Sequence, residues 1–470
     1  MTDPAYLSIT EASELIRDKS LSPVEYTDAQ IKRIDRLDEN FNAFLAPAWD
    51  IATAQARDAE AEIAQGNWRG PLHGVPFALK DIIDYEGLPT TCHSKILEGN
   101  IATSHAAVTT KLRDAGGIFL GKLATHEFAI GGPSFDLPCP PARNPWNRAH
   151  FTGGSSSGSG AALASGMVPA ALGTDTGGSV RNPASNCGIV GMKATYGRVS
   201  RRGVFPLSFT LDHVGPMTRT VEDNAVLLGI LAGHDALDPG SADVEVPDYT
   251  AGLRDGVKGL KIGVIRHFYN RDMIADSEMG DGIEAALSTL ARLGAVIQEV
   301  DVAPLSDYAA ANRVILLPEA YAIHEKWFQE RPGDYGELAR SRIMGGAFVR
   351  AADYVNAVRM RAKLTREFYE AISDCDVVIT ASSMEPACEI EDRDANEYTY
   401  GRQARAPFNL MGSPALAMPT GFAQSGLPLS MQIVGKPFEE AMIYRVAHAF
   451  EQASEWTTRR PPLPETAPSP

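Results

Sequence analysis

The chain has 470 residues, of which 44% are hydrophobic, 22% charged and 8% aromatic. That is enough to bury a large core, which excludes both a disulfide-stapled miniprotein and a disordered tail. With 43 Lys and Arg against 59 Asp and Glu, the formal net charge is −16, a balance that repels phosphate backbones and anionic membranes and makes nucleic acid an unexpected main partner.

Residues 8 to 65 read as helices. Thr10 stands where it can cap a first one, and Ser22, Pro23, Val24 and Glu25 offer a capping box with proline at the first helical position. An Ala/Glu/Gln-rich stretch from Ala52 to Ala64 ends at Gly66. From Pro71 to about Ser200 short apolar runs, 75–79 and 117–121, alternate with Gly-rich turns, which predicts an α/β sheet core. The segments 161–164 and 167–172 read as small apolar helix formers that pack closely. Further on, 260–265 reads as a strand, 279–293 as an amphipathic helix and 296–300 as a strand. A long helix over 351–373 and a strand over 376–380 follow. Residues 303–350, with Trp327, Phe328 and the Gly345–Gly346 break, fit no pattern. Since no low-complexity linker or repeat divides the chain, one domain over 1–458 is expected. It comprises a helical part over 1–68 and a motif-rich core over 70–200, followed by a tail over 459–470 whose five prolines favour fraying.

The five cysteines form no CxxC pair, which argues against a disulfide framework or a thiolate zinc site. The N-terminus lacks a basic region followed by an apolar stretch, and the longest run without charge, 149–174, is Gly, Ser and Ala rather than Leu and Ile. Neither a secretory signal nor a membrane span is indicated, so the cytoplasm is the expected location.

Three stretches stand apart: 72–81 (LHGVPFALKD), 153–160 (GGSSSGSG) and 173–183 (GTDTGGSVRNP). A Gly/Ser run is ordinarily a linker, but this one continues directly into small apolar residues. Glycines beside serines suit a place where backbone N–H groups must approach a substrate. A P-loop fails because Ala161 follows Gly160, and a dinucleotide fingerprint from Gly158 fails at Leu163. Residues 154–158 match the GxSxG nucleophile elbow, yet the preceding 144–150 is turn-like where an apolar strand is required. His126 and Glu127 hint at a zinc motif, but Ile130 stands where the second histidine would be.

Lys80, the stretch ending at Gly160 and the stretch 173–183 together resemble the amidase signature family, including the spacings of 75 and 24 residues from Lys80 to Ser155 and on to Ser179. The likeness continues through 186–193, 196–200, 211–216, 408–412 and 426–435, and is loose over 303–400. It implies an α/β fold in one large domain, a mixed, mostly parallel twisted sheet flanked by helices. It also implies a catalytic set of Lys80, Ser155 and Ser179, with a cis peptide bond between Gly154 and Ser155. Ser179 would attack an amide carbonyl, Ser155 would relay its proton, and Lys80 would accept it, which requires a lysine kept neutral by its dry, apolar surroundings. The oxyanion hole and substrate contacts would come from Thr176, Gly177, Gly178, Ser179 and Ile130, with Asp175 and Arg181 as a structural brace. No metal and no organic cofactor is needed for such acyl transfer.

By this resemblance the expected function is hydrolysis of small-molecule amides by a free homodimer, with neither nucleic acid nor membrane as partner. The alternative is the amidase (glutaminase) subunit of a tRNA-dependent amidotransferase complex, which 196–203 resembles. Glutamine-specific relatives carry an acid ahead of the Asn-Leu-x-Gly motif, where this chain has Arg402 and Arg405, able to meet a substrate carboxylate or to face solvent. Residues 381–386 depart from the family as well. The substrate pocket is expected from 129–132 and from 303–350.

Overall fold

The first helix, Ile9–Arg17, is capped two residues ahead of Thr10, because Ser8 accepts from the Glu11 N–H while the Glu11 carboxylate accepts from the Ser8 N–H. In the computed structural model, which describes residues 4–464, Ser22 caps the helix Pro23–Phe41 as its sequence suggests, and Trp49–Ala64 forms the third helix.

An eleven-stranded sheet forms the centre. Its strands are β1 (Phe44–Pro47), β2 (Pro76–Lys80), β3 (Ile118–Leu123), β4 (Ala170–Asp175), β5 (Val190–Lys193) and β6 (His213–Thr218), followed by β7 (Lys261–Val264), β8 (Val296–Glu299), β9 (Val377–Thr380), β10 (Ala415–Phe422) and β11 (Pro428–Val434). Across the sheet they lie in the order β1-β3-β2-β4-β6-β5-β10-β11-β9-β7-β8. Parallel pairing is confined to β3-β2-β4 and to β9-β7-β8. Everything between is antiparallel, joined by β6, β5 and the β10–β11 hairpin. The sheet is therefore mixed, with less parallel pairing than expected.

Every residue of β2, β3 and β4 is buried. Helices cover both faces of such strands, so they read as continuous apolar runs rather than as alternating ones. This is why 170–172, expected within 167–172 to be helical, lies instead in the central strand Ala170–Asp175. Its small residues let the fully buried helix Ser157–Ala164 approach closely, and a Cβ at Gly173 would come within 2.6 Å of Ser156 Oγ. The stretch that fitted no pattern is mostly one 26-residue helix, Leu305–Glu330, followed by the helix Glu337–Met344. Pro318 inside the long helix interrupts the pattern.

Of the proline-rich tail, Arg459 stacks over Phe422 at 4.0 Å and Arg460 over Tyr6 at 4.7 Å; 465–470 lie outside the described residues. Among the described residues no helix is long and apolar enough to cross a membrane.

Candidate active site

Lys80 closes β2, and the next strand in the sheet, β4, runs parallel to it and ends at Asp175. Parallel neighbours present their carboxyl ends on the same edge, where sites of α/β sheets collect. Lys80 is completely buried. Its Nζ donates to Ser155 Oγ at 2.7 Å and to Thr174 Oγ1 at 2.8 Å. Burial pulls its pKa from 10.5 down to about 7, against the opposing pull of Asp175 and Asp212. Asp81, adjacent in sequence, alternates to the other face of the strand and pairs there with the buried Lys122 at 2.9 Å. Lys80 thus has hydroxyls in contact rather than a carboxylate.

Ser155 follows a cis peptide bond from Gly154. Its carbonyl accepts from the N–H groups of His126 at 3.0 Å and Ser157 at 2.8 Å, just before the helix Ser157–Ala164 begins. The Ser156 N–H donates to the Ser179 carbonyl at 3.2 Å, which ties the two serine loops together. Ser179 is only half-buried, and among the described residues no hydrogen bond links its hydroxyl to Ser155. The structure therefore brings Lys80 and Ser155 into contact and holds Ser179 beside them through its backbone.

Asp175 organises the loop that carries Ser179. Its Oδ1 accepts from the Gly178 N–H at 2.8 Å, and its Oδ2 accepts from the N–H groups of Val180 at 3.2 Å and Arg181 at 3.3 Å. The Arg181 side chain donates to both carboxylate oxygens, at 3.1 and 3.0 Å, and reaches on to Asn409 Oδ1 at 2.6 Å and Gln432 Oε1 at 2.9 Å. Although burial pushes the Asp175 carboxyl up, the Arg181 guanidinium and these hydrogen bonds hold it well below the usual carboxylate range.

This brace changes the expected donor set. The Gly178 N–H is committed to Asp175 and cannot face an oxyanion, and the Ile130 N–H is committed to the Glu127 carbonyl at 3.0 Å. The N–H groups of Thr176, Gly177 and Ser179 make no hydrogen bond among the described residues, and they are the donors left free at the mouth of the loop.

Thr174 and Thr176 line a cavity of about 320 Å³ with Ala129, Phe205, Asp212 and His213. A second cavity of about 370 Å³ is walled by Gly131, Gly132, Phe151, Arg342 and Tyr400, so 129–132 contributes to the cavities and, from 303–350, the helix Glu337–Met344 does. One side chain there, Arg342, escaped sequence reasoning. Arg342 lies 3.5 Å from the centre of the Tyr400 ring, and its Nη1 is buried without a partner. The imidazole of His126 packs against Gly154. Burial, then the charges of Lys80 and Arg342, push its pKa down to about 3, so the ring is neutral, and its Nε2 is buried without a hydrogen-bond partner among the described residues. Arg402 is ion-paired with Glu385, while Arg405 is 4% exposed and lies against Gly178. Of these, Arg342 had no sequence signal, whereas Arg402 and Arg405 stand ahead of the Asn409 motif. Among the described residues no three His, Cys, Asp or Glu side chains gather as metal ligands would.

A family model described as Amidase matches residues 25–444. A Moorella thermoacetica protein named as a subunit of glutamyl-tRNA(Gln) amidotransferase is 39% identical over 97% of this chain and 99% of its own. A solved inhibitor-bound complex, described as revealing the evolutionary origins of an s-triazine catabolic enzyme, superposes with a TM-score of 0.90 at 30% identity, covering 95% of this chain and 98% of its own. A bacterial aryl acylamidase, described as one of the amidase signature enzymes, superposes with a TM-score of 0.88 at 26% identity over 96% and 97%. These findings correct the expected partners, a small-molecule amide and a second copy of the chain without nucleic acid. Several similar chains are named as one subunit of an enzyme acting on a tRNA. Net charge was a poor guide because it describes the mean field of one chain, and says nothing of an assembly in which another subunit carries a basic face.

Proposed function

The chain belongs to the amidase family, as a hydrolase of the amidase signature type, and we propose that it is the amidase subunit of a tRNA-dependent amidotransferase, releasing ammonia from glutamine. The reading of its chemistry rests on one observation above all: a fully buried lysine with a pKa of about 7, 2.7 Å from a serine hydroxyl. The neutral Lys80 amine takes the Ser155 proton while Ser155 takes that of Ser179, and Ser179 Oγ attacks the amide carbonyl. The oxyanion is held by the N–H groups of Thr176, Gly177 and Ser179, each such donor contributing about 3 to 4 kcal/mol to transition-state stabilisation. The proton returns through Ser155 to the leaving nitrogen, ammonia departs, and water, deprotonated along the same path, hydrolyses the acyl-enzyme. Asp175 and Arg181 act by holding the loop. The choice of a complex over a free enzyme is supported by the near full-length identity to chains of that name.

One observation favours a second reading, hydrolysis of a different amide. Arg402, where glutamine-specific relatives are expected to carry an acid, is neutralised by Glu385, which leaves the glutamine ammonium without that acceptor. Purification of the full chain with any subunit that accompanies it, followed by glutaminase assays beside alkyl and aryl amides, decides between them. Glutamine turnover that depends on the accompanying subunit supports the first reading. Alkyl or aryl amide turnover by the chain alone, without glutaminase activity, overturns it. Failure of a fluorophosphonate probe to label Ser179 overturns both.

A further inference from the structure

Arg405 has no part in the chemistry above, yet its surroundings are unusual for a cation. It is 4% exposed, and among the described residues no carboxylate lies within ion-pairing distance of its guanidinium. Nη1 is satisfied, donating to the Ser382 carbonyl at 2.9 Å and to Ser383 Oγ at 2.7 Å. The opposite edge is not: Nε is buried without a partner, and Nη2 makes no hydrogen bond among the described residues. A buried N–H on a charged group is costly to leave unpaired. The side-on Nε/Nη2 edge is also the fork that matches the two oxygens of a carboxylate.

The position of that edge matters as much as its emptiness. A Cβ added to Gly178 would run into Arg405 Nε and come within 2.7 Å of its Cδ, so the side chain lies directly against the loop that presents Ser179. Arg405 also lines a small cavity with Asn182, Ser383 and Glu385, and this cavity shares Phe151 and Tyr400 with the larger one beside Arg342. The nearby carboxylate of Glu385 is already held by Arg402. Burial, reinforced by the neighbouring Arg181, presses the Arg405 pKa down to about 9, still well above neutrality, so the charge is present when the enzyme works.

We infer that Arg405 is a specificity-determining residue whose free Nε/Nη2 edge binds a carboxylate carried on the acyl chain of the substrate, making the preferred substrates carboxylate-bearing primary amides. This rests on the reading that the Ser179 loop is the reacting centre, and it names what that centre selects. Glutamine falls within the class, as do the monoamides of simple dicarboxylic acids.

The test compares glutaramate with butanamide, which share a primary amide and differ by a carboxylate, in the full chain with any accompanying subunit. Wild type is expected to favour glutaramate in kcat/KM. In Arg405→Met the glutaramate-to-butanamide ratio should fall between about 10- and 100-fold, the worth of a charge-assisted pair, mainly through KM. Arg405→Lys, which keeps the charge and loses the fork, should recover only part of it. Glutarate, as a competitive inhibitor, should lose affinity in parallel. If both amides decline together and the ratio holds, Arg405 merely braces Gly178 and the inference is wrong; equal use of both amides by wild type also overturns it. Failure of the underlying reading looks different, because then neither amide is turned over and the fluorophosphonate probe leaves Ser179 unlabelled.

Discussion

Replacing Lys80 by methionine should abolish turnover and, at neutral pH, make the protein more stable. Pulling the lysine pKa from 10.5 to about 7 costs the folded state on the order of 5 kcal/mol at pH 7, since each unit corresponds to about 1.4 kcal/mol. Methionine fills similar space without that cost. It also forfeits the contacts to Ser155 Oγ and Thr174 Oγ1, worth about 1 kcal/mol each. The net gain at pH 7 is therefore roughly 2 to 3 kcal/mol. Its pH dependence has a definite sign. Below pH 7 the lysine is protonated whether folded or unfolded, and the penalty is at its full value. Between 7 and 10.5 the unfolded chain holds the proton that the folded chain has lost, so wild-type stability rises with pH and the penalty shrinks. The advantage of Lys80→Met should vanish near pH 9 and reverse by pH 10. Urea denaturation midpoints for the two proteins at pH 7 and pH 10 measure this. A variant less stable than wild type at pH 7, or one that retains turnover, would refute a buried Lys80 with a pKa lowered to about 7.

Three further outcomes are expected. The kcat/KM of wild type should fall on the acid side with an apparent pKa of about 7, reaching roughly one hundredth of its plateau at pH 5 as Lys80 takes up a proton; a profile flat to pH 5 contradicts a lysine base. Ser179→Ala should lose at least about a thousandfold in turnover together with fluorophosphonate labelling, while its circular dichroism and denaturation midpoint stay near wild type. Gly178→Ala forces a side chain onto a backbone at φ +127 and against Arg405, so it should cost about 1 to 3 kcal/mol in urea denaturation and lower kcat at least about tenfold; wild-type kcat would show that the loop tolerates displacement.

Local chemistry made several features legible from the chain alone. Ser22 starts a helix because its hydroxyl meets the N–H groups two and three residues on, with Pro23 already holding a helical φ. The run 75–79 reads as a strand because continuous small and apolar residues bounded by turns suit a sheet covered on both faces. The family resemblance carried by Lys80, Ser155 and Ser179 implied a cis bond before Ser155, and the structure has it. Tertiary structure alone decided the rest, because those outcomes depend on groups far apart in the chain. The Gly178 N–H is withdrawn from the oxyanion by Asp175, which Asn409 secures from 234 residues away. Lys80 acquires its lowered pKa from burial, against the opposing charges of Asp175 and Asp212, and meets hydroxyls 75 and 94 residues distant in the chain. Arg402 and Arg405 look alike in sequence; folding gives the first a carboxylate and leaves the second with an empty edge. Side-chain identity sets what a group can do, whereas dielectric surroundings and occupied hydrogen bonds, which only packing creates, set what it is free to do.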